Sequence, residues 1–445
     1  MFSKETYMAR RAKLKQTIGS GLLLFLGNDE SGMNYADNTY HFRQDSTFLY
    51  FFGLPYAGLS AIIDIDNDKE IIFGDELTID AIVWMGTQPT LKEKSEAAGI
   101  KEVRPFKEIE TYLKNAQQKG QPIHYLPTYR AEHQIKLFQW LGIVPGAEKP
   151  SVPFIMGVVN QRNYKSEEEI AEIEKACIVT ADMHLTAMRT VRPGIRESDV
   201  AAFANNYQLS FPIIATINGQ TLHNHDHSHM IKSGDMLLLD AGAETEMGYA
   251  GDMSSTIPAD SKFTTRQKDI YDIQVAAHEA AVAALRPGIP FVDVYELSCK
   301  VITEGLKDLG FVKGDPMEAV KAGAHAMFMP CGLGHMMGLD VHDMENLGEV
   351  YVGYNGQPKS TEFGRKSLRL GRKLEPGFVL TIEPGVYFIP ELMDLWRGQN
   401  KFTEFINYEK LFTYKDFSGI RNEEDYLITE NGARLLGKKI PLRTE

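Results

Sequence analysis

The chain has 445 residues, 43% of them hydrophobic and 10% aromatic, which is enough apolar material for ordinary cores in roughly two to three domains. A formal net charge of −13 argues against a nucleic-acid surface, which would show basic stripes. Cys177, Cys299 and Cys331 are odd in number and far apart, so neither a disulfide framework nor a paired-cysteine zinc pattern can be drawn.

The first segment, Phe2 to Ile18, is basic and helical in pattern, with Lys4, Arg10, Arg11, Lys13 and Lys15, and it precedes the apolar run Gly21–Leu26. That pairing is similar to a secretory leader, but the run is short and Gly27-Asn28-Asp29-Glu30 offers no small-residue cleavage site. A surface helix leading into a buried strand is expected instead. No apolar stretch has the length to span a membrane, and a cytoplasmic location is expected. Leu22–Leu26, Ala61–Ile65 and Ile71–Phe73 read as strands, Ile109–Gln118 and Tyr129–Leu141 as helices. This is an α/β pattern without a phosphate-binding glycine loop. A boundary is expected near Gly157–Tyr164, dividing residues 1–160 from 161–445. Just beyond it, Ser166 and Glu169 form a capping box that opens a helix with Ile170, Ile173 and Cys177 on one face.

The second half contains an internal repeat. Arg192-Pro193-Gly194-Ile195 leads to Asp199-Val200, and Arg286-Pro287-Gly288-Ile289 leads to Asp293-Val294, six identities over nine positions. Each copy follows a long helical segment (Glu167–Met188, Thr265–Leu285) and opens another. Duplication predicts two similar halves facing one another across a cleft.

Five potential metal ligands fall in five short segments of this region. Asp240 ends the apolar run Met236–Leu239, where an unpaired carboxylate would be costly. Asp252 lies on the next extended segment, Tyr249–Ile257, so a hairpin would set the two carboxylates side by side and call for a cation or a shared proton. His335 stands in the glycine-rich stretch Cys331–His335, with His342 seven residues on (342 − 335). Glu383 ends the run Phe378–Ile382 and repeats the strand-end placement of Asp240, while Glu423 follows Gly419–Asn422. Taken singly, each reads as a turn, cap or core residue. Together they form an oxygen-rich set with one imidazole, suited to two hard or borderline divalent cations able to activate water and polarise a carbonyl.

The motifs DAGAE, GYAGD, GLGHMMGLDVHD, LTIEPGVYF and GIRNEED resemble those of the pita-bread metallopeptidases, over about residues 160–440. His41–Phe48 resembles the non-catalytic domain of the proline-specific branch, which methionine aminopeptidases lack. The resemblance implies an α+β chain: a C-terminal pita-bread catalytic domain with an internal pseudo-twofold, preceded by a smaller α/β domain. It implies Asp240, Asp252, His335, Glu383 and Glu423 as metal ligands, Asp252 and Glu423 bridging. It implies manganese as the metal pair, with cobalt, zinc or iron admitted. Glu383 is then the proton acceptor, and His342 and His223 bind substrate and oxyanion. His223 is seventeen residues before Asp240 (240 − 223), as the family's substrate histidine is. Its neighbours His225, His227 and His229 read as an exposed polar loop.

Arg369, fourteen residues before Glu383 (383 − 369), stands where prolidases clamp a dipeptide's carboxylate. The Ile389–Phe417 insertion and Trp84-Met85-Gly86 also resemble prolidase. The expectation is an Xaa-Pro dipeptidase, with an Xaa-Pro aminopeptidase as the alternative and an inactive pita-bread binding protein as a remote one. Expected partners are a small peptide with proline second and further copies of the same chain, with no nucleic acid and no membrane. Phe328 or Tyr387 is expected in the proline pocket. Two departures stand out. Asp240 and Asp252 are twelve apart (252 − 240), one more than the family's usual spacing, so the hairpin turn Glu244–Gly248 must absorb a residue. Cys331 also replaces a common histidine.

Overall fold

The structure, a computed structural model, describes residues 1–204 and 208–441. It contains two compact units, Met1–Arg162 with Met344–Tyr351, and Asn163–Asp343 with Val352–Glu445. The short excursion 344–351 into the first unit has no counterpart in a single division after residue 160.

The first unit carries a mixed sheet of β1 (Leu22–Leu26), β2 (Ser60–Asp64), β3 (Lys69–Phe73), β4 (Glu102–Arg104) and β5 (Ile123–His124), ordered β4-β3-β2-β1-β5. β1, β2 and β3 pair antiparallel, whereas β4 and β5 add parallel edges. The basic first segment forms the helix Lys4–Ile18, but it is not simply a surface helix. Arg11 is fully buried and donates to Glu70 Oε2 (2.8 Å) and to the carbonyls of Phe51 and Ala98 (both 2.9 Å). A guanidinium has enough donors for such a junction, and this one stitches helix, strand and loop together. The helix Ile79–Met85 buries none of its side chains and leaves Ile79, Val83, Trp84 and Met85 exposed.

Part of the expected Gly157–Tyr164 boundary lies inside a helix, Val152–Arg162. Gly157 does not break it. A Cβ there would come within 2.9 Å of Leu14 Cδ1, so the glycine serves close packing of two helices rather than a chain turn.

The second unit begins with the capped helix Glu167–Thr190, where both hydrogen bonds of the Ser166–Glu169 box are present. Its described residues form three small sheets: β6 (Ile214–Thr216), β7 (Met236–Ala241) and β8 (Met253–Pro258); β9 (Val379–Ile382), β12 (Glu424–Thr429) and β13 (Gly432–Leu435); and β10 (Gly385–Tyr387) with β11 (Gly419–Arg421). The repeat is visible in the backbone bonding. Gly194 N–H donates to Ile231 O, Ile231 N–H to Ile195 O, and Glu197 N–H to His229 O. In the second copy Gly288 N–H donates to Leu374 O, Leu374 N–H to Ile289 O, and Phe291 N–H to Arg372 O. Nine residues beyond each anchor (240 − 231; 383 − 374) stand Asp240 and Glu383. The two acids are therefore equivalent positions of the two halves.

No helix among the described residues is long and apolar enough to cross a membrane. One buried group makes this unit acid-sensitive. His325 is 2% exposed, hydrogen-bonded through Nε2 to Tyr295 OH at 3.0 Å, and burial, followed by the charge of Arg365, pushes it down to about 4. The unfolded imidazole titrates near 6.5, so between these values only the unfolded chain takes the proton. Stability present in full above the unfolded value is then lost as pH falls, by about 3 kcal/mol at pH 4 from this residue. Urea midpoints of wild type and His325→Gln should converge as pH drops from 7 to 4.5. Parallel curves would refute the assignment.

Candidate metal centre

β7 and β8 pair in continuous register, Asp240 opposite Ser254 and Ala241 opposite Met253. The ladder runs on through the Glu244–Ala250 bridge, and Thr245 N–H donates to Tyr249 O at 2.9 Å. That leaves a three-residue turn, Glu246–Gly248, closed by Gly248 at φ 85°. With strand side chains alternating, residue 252 falls on the same face as Ser254 and hence as Asp240. The odd spacing is absorbed in the turn, as the period-two argument requires.

His335 is placed by a close backbone approach. The stretch Leu333–Met337 runs along β9, Thr381 N–H donating to His335 O (3.0 Å) and Glu383 N–H to Leu333 O (2.8 Å). A Cβ on Gly334 would lie 2.0 Å from Thr381 O, so only glycine fits. His335 Nδ1 lies 3.1 Å from Met336 O, which as a donor bond leaves Nε2 with its lone pair free to ligate. Nε2 is 3.4 Å from Asp252 Oδ2 and 3.6 Å from Glu383 Oε1.

Asp252, His335 and Glu423 each offer a ligand atom within 4.8 Å of the others, and all three are buried. Asp240 is held from the side by Arg421 Nη2 at 2.6 Å, and Glu423 Oε2 accepts from Ser254 Oγ at 2.7 Å. Arg421 also donates to Ser254 Oγ (2.9 Å) and Tyr387 OH (3.0 Å). Behind Asp252 lies Asp425, whose Oδ2 accepts from Asp252 N–H (3.0 Å) and the Cys177 thiol (3.1 Å). Arg421 and Asp425 lie inside the GIRNEED motif, yet sequence reasoning gave them no role. Their only signal was adjacency to Glu423.

The electrostatics are those of a site built for cations. Burial, then repulsion from Glu423 and Asp240, pushes Asp252 well above the usual carboxylate range. Burial followed by Glu383 and Asp240 does the same to Glu423, and burial raises Glu383 against the opposing charge of Arg421. His335 is driven well below its ordinary value, first by burial and then by His342. Asp240 Oδ1 and Asp252 Oδ1 are buried with no hydrogen-bond partner. Buried carboxylate oxygens aimed at nothing, beside a neutral imidazole, fit divalent metal in both donor type and charge.

A cavity of about 200 Å³ contains all five of these residues together with His223, His342 and Arg369. The His335 and His342 rings pack at 4.3 Å between centroids. The apolar lining is Phe211, Pro212, Ile214, Leu222 and Val341, with Tyr387 beside Arg421. Phe328, expected here, is absent from the lining and instead packs edge-on against Phe311 and Phe388. Sequence pattern identifies an aromatic as buried but not the surface it faces. Cys331 lines the cavity, and burial, followed by the charge of Glu383, pushes its thiol up to about 12, so the sulfur stays protonated. Of the histidine run, His225 also reaches the cavity, whereas His229 Nδ1 pairs with Glu197 Oε2 at 2.9 Å.

Residues 171–430 match the model of metallopeptidase family M24, and residues 7–124 match that of the aminopeptidase P N-terminal domain. The chain is 29% identical to the Xaa-Pro dipeptidase of Homo sapiens, over 96% of this chain and 88% of that protein. It is 31% identical to the Xaa-Pro aminopeptidase of Escherichia coli (strain K12), over 100% and 96% respectively. Among solved structures, the proline aminopeptidase P II from Yersinia pestis superposes with a TM-score of 0.81 at 26% identity, covering 100% of this chain and 98% of that one. E. coli aminopeptidase P with the inhibitor Pro-Leu gives 0.79 at 29%, covering 98% and 95%. The domain match, the relatives and the two-domain pita-bread likeness agree: the chain belongs to metallopeptidase family M24.

Proposed function

We propose that this enzyme hydrolyses the bond preceding proline in Xaa-Pro peptides, with dipeptides as preferred substrates. The observation that carries the reading is the convergence of Asp240, Asp252, His335, Glu383 and Glu423 in one cavity that also contains Arg369. In this proposal those five residues hold two divalent cations, and manganese is the expected metal, with cobalt, zinc or iron admitted by the same donors. When bound, the cations supply a water of lowered pKa and a polarised carbonyl.

The chain's own residues do the rest. Glu383 accepts the proton of the attacking water and returns it to the departing proline nitrogen. His223 and His342, both lining the cavity, hydrogen-bond the substrate and the developing oxyanion. Phe211, Pro212, Leu222 and Val341 offer an apolar wall for the pyrrolidine ring. The Arg369 guanidinium receives the free carboxylate of a dipeptide in two parallel hydrogen bonds. Cys331, neutral, adds bulk without taking part in proton transfer.

The second reading is an Xaa-Pro aminopeptidase, favoured by the E. coli relative's match over the whole chain. Rates on Ala-Pro and Ala-Pro-Ala separate the two. A dipeptidase cleaves the first and spares the second, and Arg369→Ala then lowers kcat/KM on the dipeptide by roughly 50-fold, the scale of a lost charge-assisted pair. Efficient cleavage of the tripeptide, with Arg369→Ala neutral on both, would make the enzyme an aminopeptidase. The same proposal includes a homo-oligomer and a cytoplasmic setting, which light scattering and cell fractionation test.

A further inference from the structure

The segment 217–229 connects β6 to the backbone that leads into β7, has no regular secondary structure, and carries His223 and His225 to the cavity. Its two ends meet at one side chain. Glu197, wholly buried at the start of the helix Glu197–Ala204, accepts from Ile217 N–H at 2.8 Å through Oε1. Its Oε2 accepts from His229 N–H at 3.0 Å, with the His229 ring Nδ1 at 2.9 Å.

The internal repeat indicates what this carboxylate is for. Counting from Ile195 and Ile289, Glu197 corresponds to Phe291 (195 + 2; 289 + 2), and both backbone N–H groups make the same bond, to His229 O and Arg372 O. Phe291 is also wholly buried. The fold therefore needs only a buried side chain at this position, and a phenyl ring meets that need in one half. A buried charge is costly unless hydrogen-bonded, so its presence in the other half calls for a reason of its own. That reason stands next to it: three donors at the two ends of the connection bearing His223.

We infer that Glu197 is a positioning residue, clamping residues 217 and 229 together so that His223 is held at the metal cavity. The inference rests on the proposed role of His223 in catalysis. Elsewhere in the connection Thr216 Oγ1 accepts from Asn218 N–H and Asn224 Nδ2 (both 3.0 Å), and Ser418 Oγ accepts from Gly219 N–H (2.8 Å) and donates to Ile217 O (2.9 Å). Neither joins its two ends. An amide in place of the carboxylate turns a donor toward at least one of the three N–H groups, so Glu197→Gln keeps the volume and opens the clamp.

The test is a double-mutant cycle on manganese-loaded enzyme with Ala-Pro, combining Glu197→Gln with His223→Ala. Glu197→Gln alone should lower kcat/KM by about 10- to 100-fold, the range for groups that orient a functional side chain. Added to His223→Ala it should cost less than about 2-fold, because both remove the same interaction. Amide exchange at Ile217 and His229 should quicken, with metal content unchanged. Equal losses in both backgrounds, full activity of Glu197→Gln, or unaltered exchange would overturn the clamp. Full activity of His223→Ala would instead overturn the proposed role of that histidine and the inference with it. Should Glu197→Gln fold poorly, His229→Ala removes the ring contact alone and should show a smaller loss of the same non-additive kind.

Discussion

Glu383→Ala should lower kcat on an Xaa-Pro substrate by roughly 10³-fold or more, since in the proposed mechanism one side chain serves as both metal ligand and proton carrier. Glu383 stands just past β9 with its N–H bonded to Leu333 O, which fixes the backbone while the side chain, 20% exposed, reaches the cavity. Burial raises this carboxyl, and the charge of Arg421 opposes the rise. In the proposed mechanism this carboxylate takes a proton from water and releases it to the leaving nitrogen within one turnover. Glu383→Gln separates the two duties, because its amide oxygen can still ligate but cannot accept a proton. The glutamine variant should retain both metal equivalents by elemental analysis and still be inactive, whereas the alanine variant should also lose metal. A glutamine variant within tenfold of wild type would remove Glu383 from the proton path.

The proposed ligands were more legible in the sequence than the residues that support them. Asp240 and Glu383 were legible because each ends a short apolar run, where a carboxylate has no ordinary reason to be. The repeat was legible as Arg-Pro-Gly-Ile, and the structure adds the matching backbone bonds that make the two acids equivalent. Arg421 and Ser254 were not legible as supports, because their partners are remote in sequence. Arg421 meets Asp240 across 181 positions and Ser254 meets Glu423 across 169, and nothing local encodes either pairing. Glu197 was passed over for the same reason, being one acid among 60 until three donors are seen around it. Glycine misled once and informed once. Gly157 resembled a boundary and is a packing contact with Leu14, while Gly334 marked a close approach that allows no side chain. Both follow from a missing Cβ, and only the fold tells them apart.

Stripping the metal should abolish activity and also expose a change of sign in stability. Asp240, Asp252, Glu383 and Glu423 share one cavity, and Arg421, buried, donates to Asp240 and not to Asp252. With dications present the cluster is neutralised, and at a metal concentration of about 100 Kd the folded state gains roughly 2.7 kcal/mol. For a chain of this size a chelator should then lower Tm by about 3 °C. Asp252→Asn sharpens the test. Its Oδ1 has no hydrogen-bond partner, and repulsion from Glu423 and Asp240 adds to burial in disfavouring the charged form. Removing that charge should raise Tm of the stripped protein, because one of the repelling carboxylates is gone. In the presence of metal the same substitution should lower Tm, because a proposed ligand is gone. Opposite signs in the two states are the mark of a residue kept for a cation. A structural carboxylate would destabilise both states alike when replaced, and scanning calorimetry of the two proteins with and without chelator distinguishes these outcomes.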